Sequence, residues 1–283
     1  MTEPKITVYT PDSSLASPFK MMREMFADLG ACRELAWRLA VRDISAQHRQ
    51  AFLGILWAFI LPLANTFAWI FLSATGIVAV ADTTLPYPVY VFTGTMLWAI
   101  FMDALNAPLH QVTAAKGMLA KLNFPREALI VSGIYQTLFN AGIKIILLLG
   151  ALLVLGIRPG WTLIFFPFGI ISMVLVGTAL GLLITPVGIL YNDVGRALSL
   201  LLQFLMYVTP VVFPMPKAGW ASTLFAINPL TPIILTCRNW LTGYSAEYVG
   251  YFLLVNVVTV ALLLVVWMVY RLAMPILIER MSA

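Results

Sequence analysis

Residues 129–155 read LIVSGIYQTLFNAGIKIILLLGALLVL, twenty-seven residues with one charged side chain, Lys144. As a helix rising 1.5 Å per residue this run is about 40 Å long, against a bilayer hydrocarbon core of about 30 Å. No soluble domain needs such a segment, so it decides the fold class. Five more stretches of the same kind occur, at Leu53–Val80, Pro88–His110, Trp161–Leu183, Ala197–Phe213 and Tyr248–Tyr270. The Ala197–Phe213 stretch is the shortest, and Pro210, Pro214 and Pro216 stop a regular helix there. Two short apolar pieces, Trp220–Ile227 and Ile233–Leu241, lie between it and the last stretch and read as short re-entrant or interfacial helices. The expectation is an all-α polytopic membrane protein with six spans in residues 51–275, preceded by residues 1–50 and followed by a tail, 276–283.

Composition agrees: 61% of the 283 residues are hydrophobic and 10% charged, where soluble domains average about 45–50% and about 25%. Mean hydropathy is +0.93. That excludes an ordinary soluble enzyme. Cys32 and Cys237 are too few for a disulfide scaffold and sit in no metal-like cluster. The N-terminal twenty residues lack the pattern of a secretory signal. With both termini on the cytoplasmic side, Lys5, Lys20, Arg23, Arg33, Arg38, Arg42, Arg49, Lys116, Lys121, Arg126, Arg196, Arg271 and Arg280 share that side, against Arg158, Lys217 and Arg238 opposite. This asymmetry sets the expected orientation.

Residues 19–50 form neither a span nor a solvated helix. Met22, Phe26, Leu29, Leu35 and Leu39 recur at helical spacing, Trp37, Val41 and Ile44 widen the apolar face, and arginines flank it. The pattern fits an amphipathic helix lying in the membrane interface, broken at Gly30; a helix packed only on protein is the alternative. Its cations Arg38, Arg42 and Arg49, with His48, suit phosphate oxygens, anionic head groups, or acidic residues of a partner.

Within the spans, Asp103, Asn106 and His110 make one polar stripe and Gln136, Asn140 and Lys144 another. Counted inward from the outer ends, Asp103 lies about 22 Å deep and Lys144 about 17 Å. An unpaired charge there costs several kcal/mol, so the economical arrangement is an Asp103–Lys144 pair; a place in a polar conduit and a proton relay are the alternatives. Aromatic side chains on a path through the bundle would give contact without directional trapping. Trp57, Phe59, Phe67, Trp69 and Phe71, then Phe92, Trp98 and Phe101, then Phe204, Tyr207 and Phe213 are candidates for such a lining, with lipid or core packing the alternative for each.

Several motifs carry a resemblance. Arg42 and Asp43 precede HRQAFLGILWAFILPLANTFAW (48–69); FTGTMLWAIF (92–101), AKLNFPREAL (120–129), Asp193, TPVVFPM (209–215) and INPLTPIILTCRNWL (227–241) follow in order. Together they resemble the ABC-2 type permeases that export polysaccharides such as O-antigen, capsule and teichoic acid precursors. The resemblance implies a non-enzymatic subunit in the bacterial inner membrane, paired with a second copy. Two ATPase subunits would hold the ATP and magnesium, since this chain has no GxxxxGK[ST] loop and needs no cofactor of its own. The cargo would be a polysaccharide on a polyprenyl diphosphate or other lipid. It also implies a coupling element over 113–126, with Lys116, Lys121, Asn123, Phe124, Pro125 and Arg126 as contacts, the alternative being that these cations only set topology. An outer gate would include Trp220, Asn228, Pro229, Arg238 and Trp240. Competing functions are export of a small lipid or drug on the same architecture, and a membrane-embedded polyprenyl-phosphate sugar transferase using Asp193 and Glu127.

Overall fold

The computed structural model describes residues 18–49, 56–77, 83, 85–119, 121, 124–191 and 193–282, and among them there are helices and turns but no strand. In chain order the α-helices are α1 (Pro18–Ala31), α2 (Arg33–Arg49), α3 (Trp57–Ala74), α4 (Tyr87–Ala114), α5 (Lys116–Leu119), α6 (Glu127–Val154), α7 (Phe166–Leu190), α8 (Val194–Tyr207), α9 (Trp220–Ile227), α10 (Leu230–Thr242) and α11 (Val249–Ser282). A 3-10 turn, Trp161–Phe165, leads into α7.

Among the described residues, four helical segments are long and apolar enough to cross a bilayer: Tyr87–Ala114, Glu127–Val154, Trp161–Leu190 and Val249–Arg280. The pair α9 and α10, bent by 78°, makes a fifth if taken as one broken span. The bend falls at Asn228–Pro229, where proline terminates regular hydrogen bonding. Helix α8 has 14 residues, about 21 Å, and stops at Tyr207 ahead of the proline-bearing turn, so it is shorter than the stretch ending at Phe213 that the sequence proposes. Helix α3 has 18 residues with Pro62 inside it and gives way to a turn after Ala74; of the rest of the Leu53–Val80 stretch, 53–55 and 78–80 lie outside the described residues. Helix α11 continues through Pro275 to Ser282, so the helix runs on into residues read from sequence as a separate tail.

Helix α4 is the centre. Both its faces are covered, by α7 in the most extensive contact of the fold and by α6, with α3 on a third side. Close approach to α7 requires missing side chains: a Cβ on Gly181 would stand 2.2 Å from the Leu105 carbonyl oxygen, and one on Gly177 would stand 2.5 Å from Ala104 Cβ. Small residues four apart let two backbones touch, which is the packing available to helices in lipid. Helices α6 and α11 instead turn Ile146, Leu153, Leu253, Val257 and Val265 outward. Such exposed apolar faces match a hydrocarbon surround.

We call the end of the bundle bearing residues 114–127 lower and the end bearing 208–219 upper. At the lower end α1 and α2 pack on α6, burying Met21, Met25, Cys32, Ala36, Leu39 and Ala40. The interruption between them is at Cys32 rather than at Gly30. Phe26, Trp37 and Val41 stay partly exposed, although Phe26 meets Trp267 edge-on at 5.5 Å and Trp37 meets Tyr135 at 5.8 Å.

Candidate functional site: an aromatic and polar cleft

A cleft of about 680 Å³ opens between α3, α4, α6 and α8, with Gln47 of α2 at its edge. Trp57, Asn65 and Trp69 line it from α3; Thr95, Trp98, Met102 and Asp103 from α4; Asn140, Ile143 and Lys144 from α6; and Gln203, Met206 and Tyr207 from α8. The helix period explains the sorting, since Thr95, Trp98 and Met102, like Asn140 and Lys144, are three or four residues apart and project to one side. Trp69 is pinned edge-on between Tyr207 and Phe213, with ring centroids 6.0 and 5.6 Å away. Thr66 and Thr95 tie α3 to α4 through their hydroxyls at 3.2 Å.

Lys144 Nζ donates to Asp103 Oδ2 across the wall of this cleft. The lysine side chain is 11% exposed and the aspartate 33%, so the pair is both a link between α4 and α6 and part of the lining. These are the charged side chains among the described lining residues, and they cancel. Below them Gln111 Nε2 donates to Gln136 Oε1 at 2.8 Å, and Gln136 Nε2 to Gln47 Oε1 at 3.4 Å, carrying the polar track to α2. The wall therefore alternates indole and phenol faces with amides, hydroxyls and one compensated ion pair. Such a surface can stack on sugar faces and exchange hydrogen bonds with hydroxyls while holding no net charge.

Of the sequence candidates for the lining, Trp57, Trp69, Trp98 and Tyr207 meet at the cleft. Phe101 does not: it is fully buried against Trp98, centroids 5.2 Å apart. Phe204 points away from the cleft and is 70% exposed. The helix period gives the reason, because 204 and 207 are three apart while 203 and 207 share a face more closely. Sequence reasoning passed over Asn65, Thr95 and Gln203; polar residues at helical spacing to the aromatics were the available signal.

The upper-end residues divide. Trp220 is exposed, and Pro229 sits at the bend. Asn228 donates to the Val208 carbonyl at 3.1 Å and to Thr209 Oγ1 at 2.8 Å, and accepts from Leu230 N–H at 2.9 Å, fastening the bend to the turn after α8. Arg238 is fully buried. Its Nε donates to Thr93 Oγ1 at 3.2 Å, its Nη2 to the Pro210 and Val211 carbonyls at 2.8 and 3.1 Å, and its guanidinium carbon lies 3.7 Å from the Tyr90 ring centroid. Gly94 makes room for it, since a Cβ there would stand 2.5 Å from Arg238 Nη2. Trp240 packs between Phe165 and Phe252 and accepts from Thr162 through its carbonyl at 2.9 Å.

At the lower end Lys116 begins α5 and Lys121 is exposed, while Asn123 lies outside the described residues. Pro125 is exposed and Arg126 half-buried. Phe124 is half-buried against the chain's own apolar cluster around Leu119, Leu129 and Met274, so it is not a free knob. Arg38 pairs with Glu34 at 2.6 Å and Arg42 with Asp43 at 2.7 Å. The side chains of His48 and Arg49 lie outside the described set.

No family model matches the chain. It is similar to proteins described as the O-antigen export system permease protein RfbA, at 24% identity over 232 residues in Myxococcus xanthus (81% of this chain, 84% of that one). In Klebsiella pneumoniae the identity is 24% over 234 residues (81% and 88%). The polysialic acid transport protein KpsM of Escherichia coli is 24% identical over 232 residues (75% and 83%). Across three quarters or more of its length the chain is thus similar to polysaccharide export permeases, in agreement with its motif resemblance to the ABC-2 type polysaccharide exporters.

Proposed function

We propose that this chain is the transmembrane subunit of an ATP-driven exporter that carries a lipid-linked polysaccharide, such as O-antigen on a polyprenyl diphosphate, across the bacterial inner membrane. Two copies stand on two ATPase subunits, which bind ATP and magnesium. The observation that carries the reading is the cleft: four aromatic rings, a run of amides and hydroxyls, and a cancelled charge pair, in a bundle whose outer faces are apolar. A path for a small apolar lipid would not need that density of hydrogen-bonding groups. A sugar transferase would need free carboxylates at a membrane face, whereas Glu127 is 4% exposed and engaged by Arg271 at 2.9 Å.

In this reading α3 and α8 belong to the first and fifth of six spans, both termini are cytoplasmic, and residues 51–275 form the transmembrane domain. Residues 113–126 dock on the ATPase, with Lys116, Lys121, Asn123, Pro125 and Arg126 at the contact and Phe124 holding the loop's shape from beneath. Arg38, Arg42, His48 and Arg49 meet diphosphate or head-group oxygens, Arg38 and Arg42 exchanging their carboxylate partners to do so. The helices α9 and α10 close the upper end as the exit gate, held by Asn228 and Arg238.

Reconstitution with the ATPase in proteoliposomes tests the function. ATP-dependent delivery of the lipid-linked glycan, lost in a Trp69→Ala, Trp98→Ala double variant that still binds the ATPase, is the expected result. Delivery without ATPase, or unimpaired delivery by that variant, refutes it. Topology is tested in intact spheroplasts: an impermeant thiol reagent should label Thr83→Cys and Lys217→Cys but not Gly117→Cys.

A further inference from the structure

A second feature at the lower end is separate from the cleft. Arg271 of α11 extends its guanidinium between two carboxylates on different elements. Its Nη2 reaches Asp28 Oδ2 of α1 at 2.8 Å, and its Nη1 donates to Glu127 Oε1, at the start of α6, at 2.9 Å. The side chains of Arg271, Asp28 and Glu127 are 17%, 27% and 6% exposed, so the fork is largely withdrawn from water. An apolar cluster surrounds it, burying Met25 of α1, Leu119 of α5, Leu129 of α6, and Tyr270 and Met274 of α11. Glu127 follows Phe124, Pro125 and Arg126 directly in the chain.

We infer that Arg271 is a positioning residue that binds the 116–127 loop to α1 and α11, so that a push on the loop moves all three as one body. The inference rests on the proposed docking of that loop on an ATPase. Its physical basis is the shape of the group. A guanidinium donates from two nitrogens in a rigid plane and holds two carboxylates at a fixed separation, whereas an ammonium is a point charge on a flexible stem. The apolar cluster supplies adhesion between these elements but little directional constraint. The fork supplies direction, and a displacement entering at Glu127 is passed to α1 without slack.

Two conservative variants separate this role from simple adhesion. Arg271→Lys keeps the charge and removes the fork; Asp28→Asn takes the charge from one arm and leaves the Glu127 contact in place. The permease–ATPase complex in proteoliposomes is assayed for ATP hydrolysis and glycan export together. Both variants should still bind the ATPase and hydrolyse ATP, while glycan exported per ATP falls about tenfold, the size that a coupling loss of about 1.4 kcal/mol gives. A second measurement needs no ATPase: spin labels at Glu24→Cys and Lys121→Cys in the permease report the α1-to-loop distance by pulsed electron resonance. That distribution should be narrow in the parent protein and broad in Arg271→Lys. An unchanged export ratio together with an unchanged distribution overturns the inference. Absence of ATP-dependent export in the parent complex would instead refute the proposed function, and the distance measurement would still decide whether the fork sets the loop's position.

Discussion

Gly181→Ala places a methyl group where the structure has a carbonyl oxygen. The added carbon would stand 2.2 Å from Leu105 O and 3.0 Å from Pro108 Cδ. The first obstacle is backbone within a helix, so no side-chain rotation relieves it. The α4–α7 seam must open by about 1 Å to restore ordinary contact, and a gap of that size forfeits about a quarter to a half of each dispersion well along it. Overpacking of this kind costs about 1–3 kcal/mol, and the upper part of that range applies because the seam is the largest in the fold. Gly142→Ala in α6 is the control: nothing stands within 4 Å of its would-be Cβ, so it should gain about 0.5–1 kcal/mol from helix propensity alone. The two substitutions are chemically the same and should differ by about 3 kcal/mol. The assay is the fraction of detergent-solubilised protein still folded after stepwise heating, read by size-exclusion fluorescence. Equal midpoints for the two variants would refute the packing argument and with it the central place given to α4.

Three further outcomes are expected. Lys144→Met leaves Asp103 without its cation in a cleft that hydrates it only in part, and should destabilise by about 2 kcal/mol; adding Asp103→Asn should recover at least half, and purely additive effects in the double-mutant cycle would show that the contact carries no coupling. Cys32 is 2% exposed, and burial first, with Glu127 second, pushes its thiol up to about 11, so the folded protein should resist maleimide at Cys32 at pH 7.5 and react after denaturation. Phe124→Ala should lower the thermal midpoint through lost packing on the Leu119 and Met274 cluster, by about 1–2 kcal/mol given its partial burial, and an unchanged midpoint beside lost ATPase binding would return Phe124 to the role of an exposed anchor.

Much of the architecture was legible because lipid imposes a length rule on apolar runs. The stretches at 88–110, 129–155, 161–183 and 248–270 each correspond to a long helix, and Trp220–Ile227 is a helix with those same ends. The polar stripes were legible for the same reason, since Asp103 and Lys144 at depth demand company, and the structure brings them together. What periodicity did not disclose was which neighbour each face meets. Phe101 and Phe204 share composition with Trp98 and Tyr207, yet one points into the core and the other away from the cleft, because rotation about a helix axis is set by packing partners distant in sequence. The Gly177 and Gly181 pair was visible as letters, but its meaning depended on α4 lying opposite. Arg238 shows the same limit: its place near an outer end was legible, but not its full burial, with Nε donating to Thr93 and Nη2 to the carbonyls of the 210–211 turn.

The Asp103–Lys144 pair also bears on how the chain is made. The two residues are 41 apart, with the acid synthesised first. At about 5–20 residues per second, Asp103 leaves the ribosome about 2–8 seconds before its partner exists. During that interval the helix carrying it holds an uncompensated carboxylate, along with Asn106 and His110. Release into lipid at that stage carries a penalty of several kcal/mol. Entry of α4 and α6 together as a hairpin avoids it. The ion pair thereby favours insertion of the two helices as a unit, and is a bias at birth as well as a contact in the finished protein.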